Sequence, residues 1–233
     1  MRAITKISRW QKLLSYLVPI NIAHYQSNEN PYLELLLYRN QFQLATEDAL
    51  YSDGTRYLPF KKAFKKLPKS FWKECNRVLI LGVGLGSAVQ ILRQHYAPTA
   101  FCTLVDYDRE ILLLATRLLA EEQPGNLEFV AADAFQYVTT QQSLHEVICI
   151  DIFKNRVAPS ECVEWPFLSA TQKLLHPNGY WIMNYITHDP LLYYQLRKNL
   201  DLLFHEVQVI NFNQNIVLIA QGPKANSTDI AGG

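Results

Sequence analysis

From residue 77 onward, short apolar runs alternate with longer stretches of helical periodicity, and few folds accept that rhythm. The runs 77–81, 100–106, 127–131, 146–151 and 180–185 read as strands, and 87–96, 108–122, 133–141, 165–175 and 190–202 as helices. Strands separated by helices cannot pair as hairpins, so they build a parallel sheet covered on both faces. Two further strands, 206–212 and 215–221, are joined only by Asn213-Gln214 and must run antiparallel to each other. The expectation is an α/β chain with a doubly wound, mostly parallel seven-stranded sheet that ends in an antiparallel hairpin.

The residues ahead of this pattern differ in charge. Residues 1–73 carry twelve Lys/Arg and five Asp/Glu, a balance of +7, whereas residues 74–233 carry ten and sixteen, a balance of −6. This places a boundary near residue 73: a small N-terminal segment over 1–73, a ligand-binding domain over 74–222, and a polar, disordered tail over 223–233. Within the first part, 32–38 and 41–45 flank Arg39-Asn40 as a β-hairpin. Residues 55–67 read as a helix, with Tyr57, Phe60, Phe64, Leu67 and Phe71 three or four apart. Lys61, Lys65, Lys69 and Lys73 recur every four residues, with Lys62 and Lys66 beside them, along the other side. A solvated helix face is the ordinary reading of such a stripe, and a nucleic-acid partner is the alternative.

The apolar patch from Leu13 to Ile20 is interrupted by Ser15, Tyr16 and Pro19 and is too short to span a bilayer, which takes about 20 residues. It is expected to be an ordered segment packed on the body, and no membrane partner is expected. Cys75, Cys102, Cys149 and Cys162 are scattered, with no CxxC pair, which argues against a zinc site or any other metal and fits a reducing cytoplasm.

In such a sheet, ligands bind beyond the C-terminal ends of the strands at the point where strand order reverses. After the first strand come Gly82, Gly84 and Gly86, which allow a sharp turn and close backbone approach. The dinucleotide fingerprint GxGxxG would place its third glycine at Ser87, so the GxGxG spacing disfavours NAD. Asp106 ends the second strand, where a carboxylate can accept both hydroxyls of a ribose, and Asp108 fits a helix cap. Asp133, after the third strand, can cap the next helix, meet an adenine amino group, or do both. Asp151 ends the fourth strand as a candidate catalytic or positioning group, and Phe153, Lys154 and Arg156 follow it as an acceptor loop. Asn184 ends the fifth strand near the same place. Asp189, beside His188, precedes Pro190 and fits a cap better than a catalytic pair.

With these residues in place, the chain resembles the spermidine synthase branch of the class I S-adenosylmethionine-dependent methyltransferase superfamily, from about Tyr25 to Gln221. The resemblance implies a Rossmann-like fold. It also implies a cofactor, S-adenosylmethionine or its decarboxylated form, held by Gly82, Gly84, Gly86, Asp106 and Asp133. Three positions depart from the aminopropyltransferase pattern. Leu85 stands where the glycine loop has an acid, Lys154 where a second Asp would follow Asp151, and Pro59 where an acid follows the gate tyrosine. A polyamine is a polycation, and Lys154 and Arg156 would repel it by about 1 kcal/mol or more per close pair in a partly desolvated site.

The expected function is therefore transfer from S-adenosylmethionine, most simply a methyl transfer, to a small non-polyamine acceptor. Aminopropyl transfer and a non-catalytic nucleoside-binding protein are the alternatives, and the sequence is compatible with a homodimer.

Overall fold

The structure, a computed structural model, describes residues 7–46, 50–122, 125–154 and 156–224. The N-terminal part runs α1 (Arg9–Leu14), β1 (Ile20–Tyr25), β2 (Leu33–Tyr38), β3 (Gln41–Ala45), β4 (Leu50–Ser52), α2 (Leu58–Lys66) and α3 (Lys69–Glu74). The alternating part follows as β5 (Arg77–Leu81), α4 (Ser87–His95), β6 (Phe101–Asp106), α5 (Arg109–Glu122), β7 (Leu127–Ala131), α6 (Ala134–Thr140) and β8 (His145–Ile150). It closes with α7 (Trp165–Lys173), β9 (Leu175–Tyr185), α8 (Pro190–Leu203), β10 (Phe204–Phe212) and β11 (Asn215–Pro223).

β5 to β11 form one seven-stranded sheet in the order β10-β11-β9-β8-β5-β6-β7. β5 pairs in parallel with both β6 and β8, while β11 runs antiparallel to β9 and β10, as the short Asn213-Gln214 connection requires. The central strands are apolar on both faces because helices cover both. Val78 and Ile80 face a cluster with α2 and α4, and Leu79 and Leu81 face one with α7 and α8. Strand order reverses at β5, so the crevice opens between the ends of β5 and β8.

A separate antiparallel sheet, β1-β2-β3-β4, packs through Leu33, Leu35 and Leu44 onto Ile111, Leu114 and Leu118 of α5. Polar ties reinforce that seam. Asp108 is buried, receives the Ser27 hydroxyl at 2.5 Å and the Asn30 amide at 2.7 Å, and also caps α5 by accepting from Glu110 N–H at 3.0 Å. Ser87, where a dinucleotide fold would carry glycine, bonds the Ser52 hydroxyl at 2.6 Å and the Asp53 N–H at 3.2 Å.

Several expectations need correction. The helix expected over 55–67 is a short 3-10 turn at Gly54–Arg56 followed by α2. Leu67 is extended at ψ 146 ahead of Pro68, which starts α3 as a separate helix. The lysine stripe is therefore split over two helices. β1 and β4 were not anticipated: β1 lies at the sheet edge with little apolar alternation, and β4 has three residues. Pro223 and Lys224 belong to the fold and not to a disordered tail, because Pro223 closes β11 and the Lys224 N–H donates to Leu203 O at 2.8 Å; residues 225–233 lie outside the described residues. The segment from Leu13 to Ile20 does not pack its apolar side chains on the body, because the side that meets the body presents Ser15. All four cysteines are buried and free.

Candidate active site

One cavity of ≈ 1050 Å³ lies over the C-terminal ends of β5, β6, β7, β8 and β9. Its floor is the loop after β5. Gly82 has φ +85, and a Cβ there would lie 2.3 Å from the Asp151 carbonyl oxygen, so only glycine lets the β5 and β8 ends meet. Gly84, at φ +53, passes under the Tyr51 carbonyl of β4, where a Cβ would lie 2.9 Å from that oxygen. Gly86 is not among the cavity-lining residues; it begins α4 in the left-handed region, and its missing Cβ makes room for Leu119. Leu85 also points away from the cavity. It is 1% exposed, in the cluster with Leu33, Leu35 and Leu44.

Asp106 and Asp133 both line the cavity. Asp106 accepts the Val83 N–H at 2.8 Å on one oxygen and the Asp108 N–H at 3.0 Å on the other. The Gly84 N–H is a further backbone donor to this carboxyl, which as a carboxylate still has acceptor capacity for ribose hydroxyls. Burial pushes the Asp106 carboxyl up to about 6, against the pull of those N–H donors. Asp133 caps α6 by accepting the Phe135 N–H at 2.7 Å and remains exposed, with Phe135 on the same wall. The cavity thus offers carboxylate acceptors and an aromatic side in the order an adenosine would use them, and its volume exceeds the ~300 Å³ lower end for small-ligand sites. Asp106→Ala is expected to weaken S-adenosylmethionine binding about tenfold or more, since a hydrogen bond to a charged group contributes about 1.5–3 kcal/mol. Titration calorimetry reads this, and unchanged affinity removes Asp106 from the site.

At the other end, Tyr57, Asp151, Asn184 and Asn215 form one hydrogen-bonded chain. Tyr57 Oη donates to Asp151 Oδ1 at 2.9 Å, and Asn184 Nδ2 donates to the same oxygen at 2.9 Å and lies 3.1 Å from Tyr57 Oη. Asn215 Nδ2 donates to Asn184 Oδ1 at 2.8 Å, which fixes the Asn184 amide orientation. Burial raises the Asp151 carboxyl to about 7, while the bonds from Asn184 and Tyr57 hold it down. Burial and the neighbouring Asp151 push the Tyr57 phenol well above its usual range, so Tyr57 keeps its proton and serves as a hydrogen-bond donor to the carboxylate.

Phe153, Lys154 and Arg156 line this end, on a tight turn in which the Lys154 N–H donates to Val157 O at 3.0 Å. The Ala158 N–H ties the loop to Ile186 O at 3.0 Å, just past β9. Arg56 also lines the cavity, but its guanidinium is taken by Asp53 at 2.5 Å and the Tyr38 carbonyl at 3.0 Å. Asp189 caps α8 through the Leu191 N–H at 2.8 Å. No group of three or more His, Cys, Asp or Glu able to hold a metal occurs among the described residues. The strand-end acids Asp106, Asp133 and Asp151 line one cavity, as their places in the strand order imply, whereas Asn215 and the Tyr57–Asp151 bond are not marked in the sequence. Those contacts span 94 residues in one case and 31 in the other, and no local pattern marks them.

A mostly parallel seven-stranded sheet with an acidic cleft over its strand ends and a C-terminal β-hairpin defines a class I methyltransferase fold. Residues 73–222 match the methyltransferase-domain family, and the chain belongs to it. A curated relative, "Probable polyamine aminopropyl transferase" of Bifidobacterium longum (strain NCC 2705), is 26% identical over 109 residues, 47% of this chain. The match spans 24% of that relative's length. A probable spermidine synthase from Corynebacterium glutamicum ATCC 13032 superposes with a TM-score of 0.67 at 17% identity, covering 89% of this chain and 82% of that one. Human methyltransferase-like protein 13, solved with SAH, superposes at 0.61 and 21% identity, covering 76% and 86%. These structural likenesses show the fold, and the family match over residues 73–222 makes the chain a methyltransferase-domain protein.

Proposed function

We propose that this protein is a methyltransferase that uses S-adenosylmethionine and acts on an anionic or neutral small-molecule acceptor. The observation that carries the reading is the acceptor loop, where Lys154 and Arg156 share the cavity wall with Asp151. A polyamine at this wall would meet two cations beside the carboxylate. Leu85 supports the same reading, since an ammonium-bearing aminopropyl tail needs an acid from the glycine loop and Leu85 lies in a dry apolar cluster.

When bound, the cofactor supplies a methyl carbon already activated by its sulfonium, so the chain's task is alignment and proton removal. A bound S-adenosylmethionine would give up that methyl group to the acceptor and leave as a neutral thioether, and Asp151 would take the proton the acceptor loses. Tyr57 and Asn184 both donate to Oδ1, which fixes the carboxyl plane and leaves Oδ2 for the acceptor. A carboxyl near 7 is suited to that role at neutral pH.

Aminopropyl transfer is the second reading, favoured by the Tyr57–Asp151 contact and by likeness to the Bifidobacterium relative named for that activity. Calorimetry and turnover separate the two. The methyltransferase reading expects tighter binding of S-adenosylmethionine than of its decarboxylated form, and no product from decarboxylated S-adenosylmethionine with putrescine. Robust aminopropyl transfer overturns it, and tight NAD binding with neither adenosyl sulfonium bound overturns both.

A further inference from the structure

Helix α1 is built inside out. Trp10, Leu13, Leu14 and Leu17 fall at i, i+3, i+4 and i+7, the spacing of a core-facing stripe. The helical path continues past Leu14, because the N–H groups of Leu17 and Val18 both donate to its carbonyl. Yet this stripe looks outward: Trp10 is 80%, Leu13 63% and Leu17 78% exposed, and Leu14, Tyr16 and Val18 are exposed beside them.

The side that meets the body carries Ser15, which is fully buried. Its carbonyl accepts the Arg39 N–H at 2.8 Å, and its hydroxyl accepts the Asn40 N–H at 2.9 Å and donates to Lys12 O at 2.6 Å. A capping box between Ser8 and Gln11 starts the helix. The segment is thus anchored to the β2–β3 turn by polar bonds while its apolar side chains stay in water. Scattered exposed leucines need no explanation, but six large apolar side chains between residues 10 and 18 do.

Charge indicates what covers them. Residues 1–28 contain Arg2, Lys6, Arg9 and Lys12 and no Asp or Glu. A second copy meeting this segment across a two-fold axis would bring Arg9 and Lys12 of both copies together, with no acid among residues 8–18 to offset them. A nucleic acid would use the cations and leave the leucines wet. An anionic lipid surface satisfies both: the cations meet headgroups, the Leu stripe enters the acyl boundary, and Trp10 sits at headgroup level. Among the described residues no helix is long and apolar enough to cross a membrane, so contact at the surface is what α1 offers. None of residues 8–18 lines the cavity, so the site stays open when this face is occupied.

We propose that α1 and the turn after it, residues 8–18, dock this protein on an anionic membrane surface. This departs from the expectation of no membrane partner and of an apolar patch packed on the body.

The full chain is tested by flotation with phosphatidylcholine vesicles, with and without phosphatidylglycerol. The protein is expected to float with the anionic vesicles, to be released by salt, and to show a blue shift in emission that Trp10→Phe removes. Leu13→Glu/Leu17→Glu and, separately, Arg9→Glu/Lys12→Glu are each expected to lower partitioning about tenfold or more while thermal melting is unchanged, since these side chains are exposed. Three results overturn the proposal. One is failure to float with anionic vesicles. Another is equal flotation of the Leu13→Glu/Leu17→Glu variant. The third is a dimer in sedimentation that Leu17→Glu dissociates, which would make a second copy the occupant.

Discussion

Asp151→Asn is expected to lower transfer about 10²–10⁴-fold, the usual contribution of a positioned general base, while leaving cofactor affinity close to that of the parent. The asparagine Oδ1 can still accept from Tyr57 and Asn184, so the network keeps its shape and only the proton acceptor is lost. In the parent enzyme, turnover should rise with pH through about 7, where Asp151 loses its proton, and the variant's residual rate should lack that step. The same substitution should stabilise the fold at alkaline pH. The carboxyl is raised from 3.8 to about 7 in the folded chain, so between these values the folded state holds a proton that the unfolded state has released. Stability from this group is complete below pH 3.8 and is lost as pH rises through about 7. At pH 8 a buried carboxylate therefore opposes folding, and removing its charge should raise Tm by several degrees, on the order of 2–4 °C per kcal/mol for a chain of this size. Lost turnover with raised Tm is the signature of a strained functional group; lost turnover with lowered Tm would make Asp151 structural.

How much of this was legible beforehand depends on whether the information was local. The order and type of β5 to β11 follow from apolar runs of strand length between helical periods, and the strand-end acids Asp106, Asp133 and Asp151 follow from that order alone. Two other features did not follow. The glycine loop reads as one ligand-binding unit, yet its three glycines do different work: Gly82 admits the Asp151 backbone, Gly84 admits β4, and Gly86 admits Leu119. Spacing reveals that glycine is needed and not what approaches it. Likewise the 3.6-residue periodicity of α1 is plain in the sequence, but periodicity identifies a face without saying which way it looks. The buried Ser15 determines that, through bonds to a turn more than twenty residues away.

Leu85 gives the sharpest test of how the chain departs from polyamine chemistry. Leu85→Asp would restore the acid that the resemblance implies at this position, and simple charge replacement predicts a gain of affinity for the decarboxylated cofactor. The structure predicts a folding defect instead. The side chain is 1% exposed among Leu33, Leu35, Leu44, Ile111, Leu114 and Leu118, the only apolar cluster joining the N-terminal sheet to α5 among the described residues. Truncation alone, Leu85→Ala, should cost about 2–5 kcal/mol, and a carboxylate placed there adds the penalty of an unpaired buried charge. Leu85→Asp should therefore melt far below the parent or fail to fold, with Leu85→Ala intermediate in chemical denaturation. The damage should begin at the N-terminal sheet, read as early loss of amide protection in β2 and β3. A folded Leu85→Asp protein that binds the decarboxylated cofactor more tightly would mean that the loop can turn this residue toward the cavity. The position would then be a specificity switch, and its place in the seam between the two sheets would be incidental.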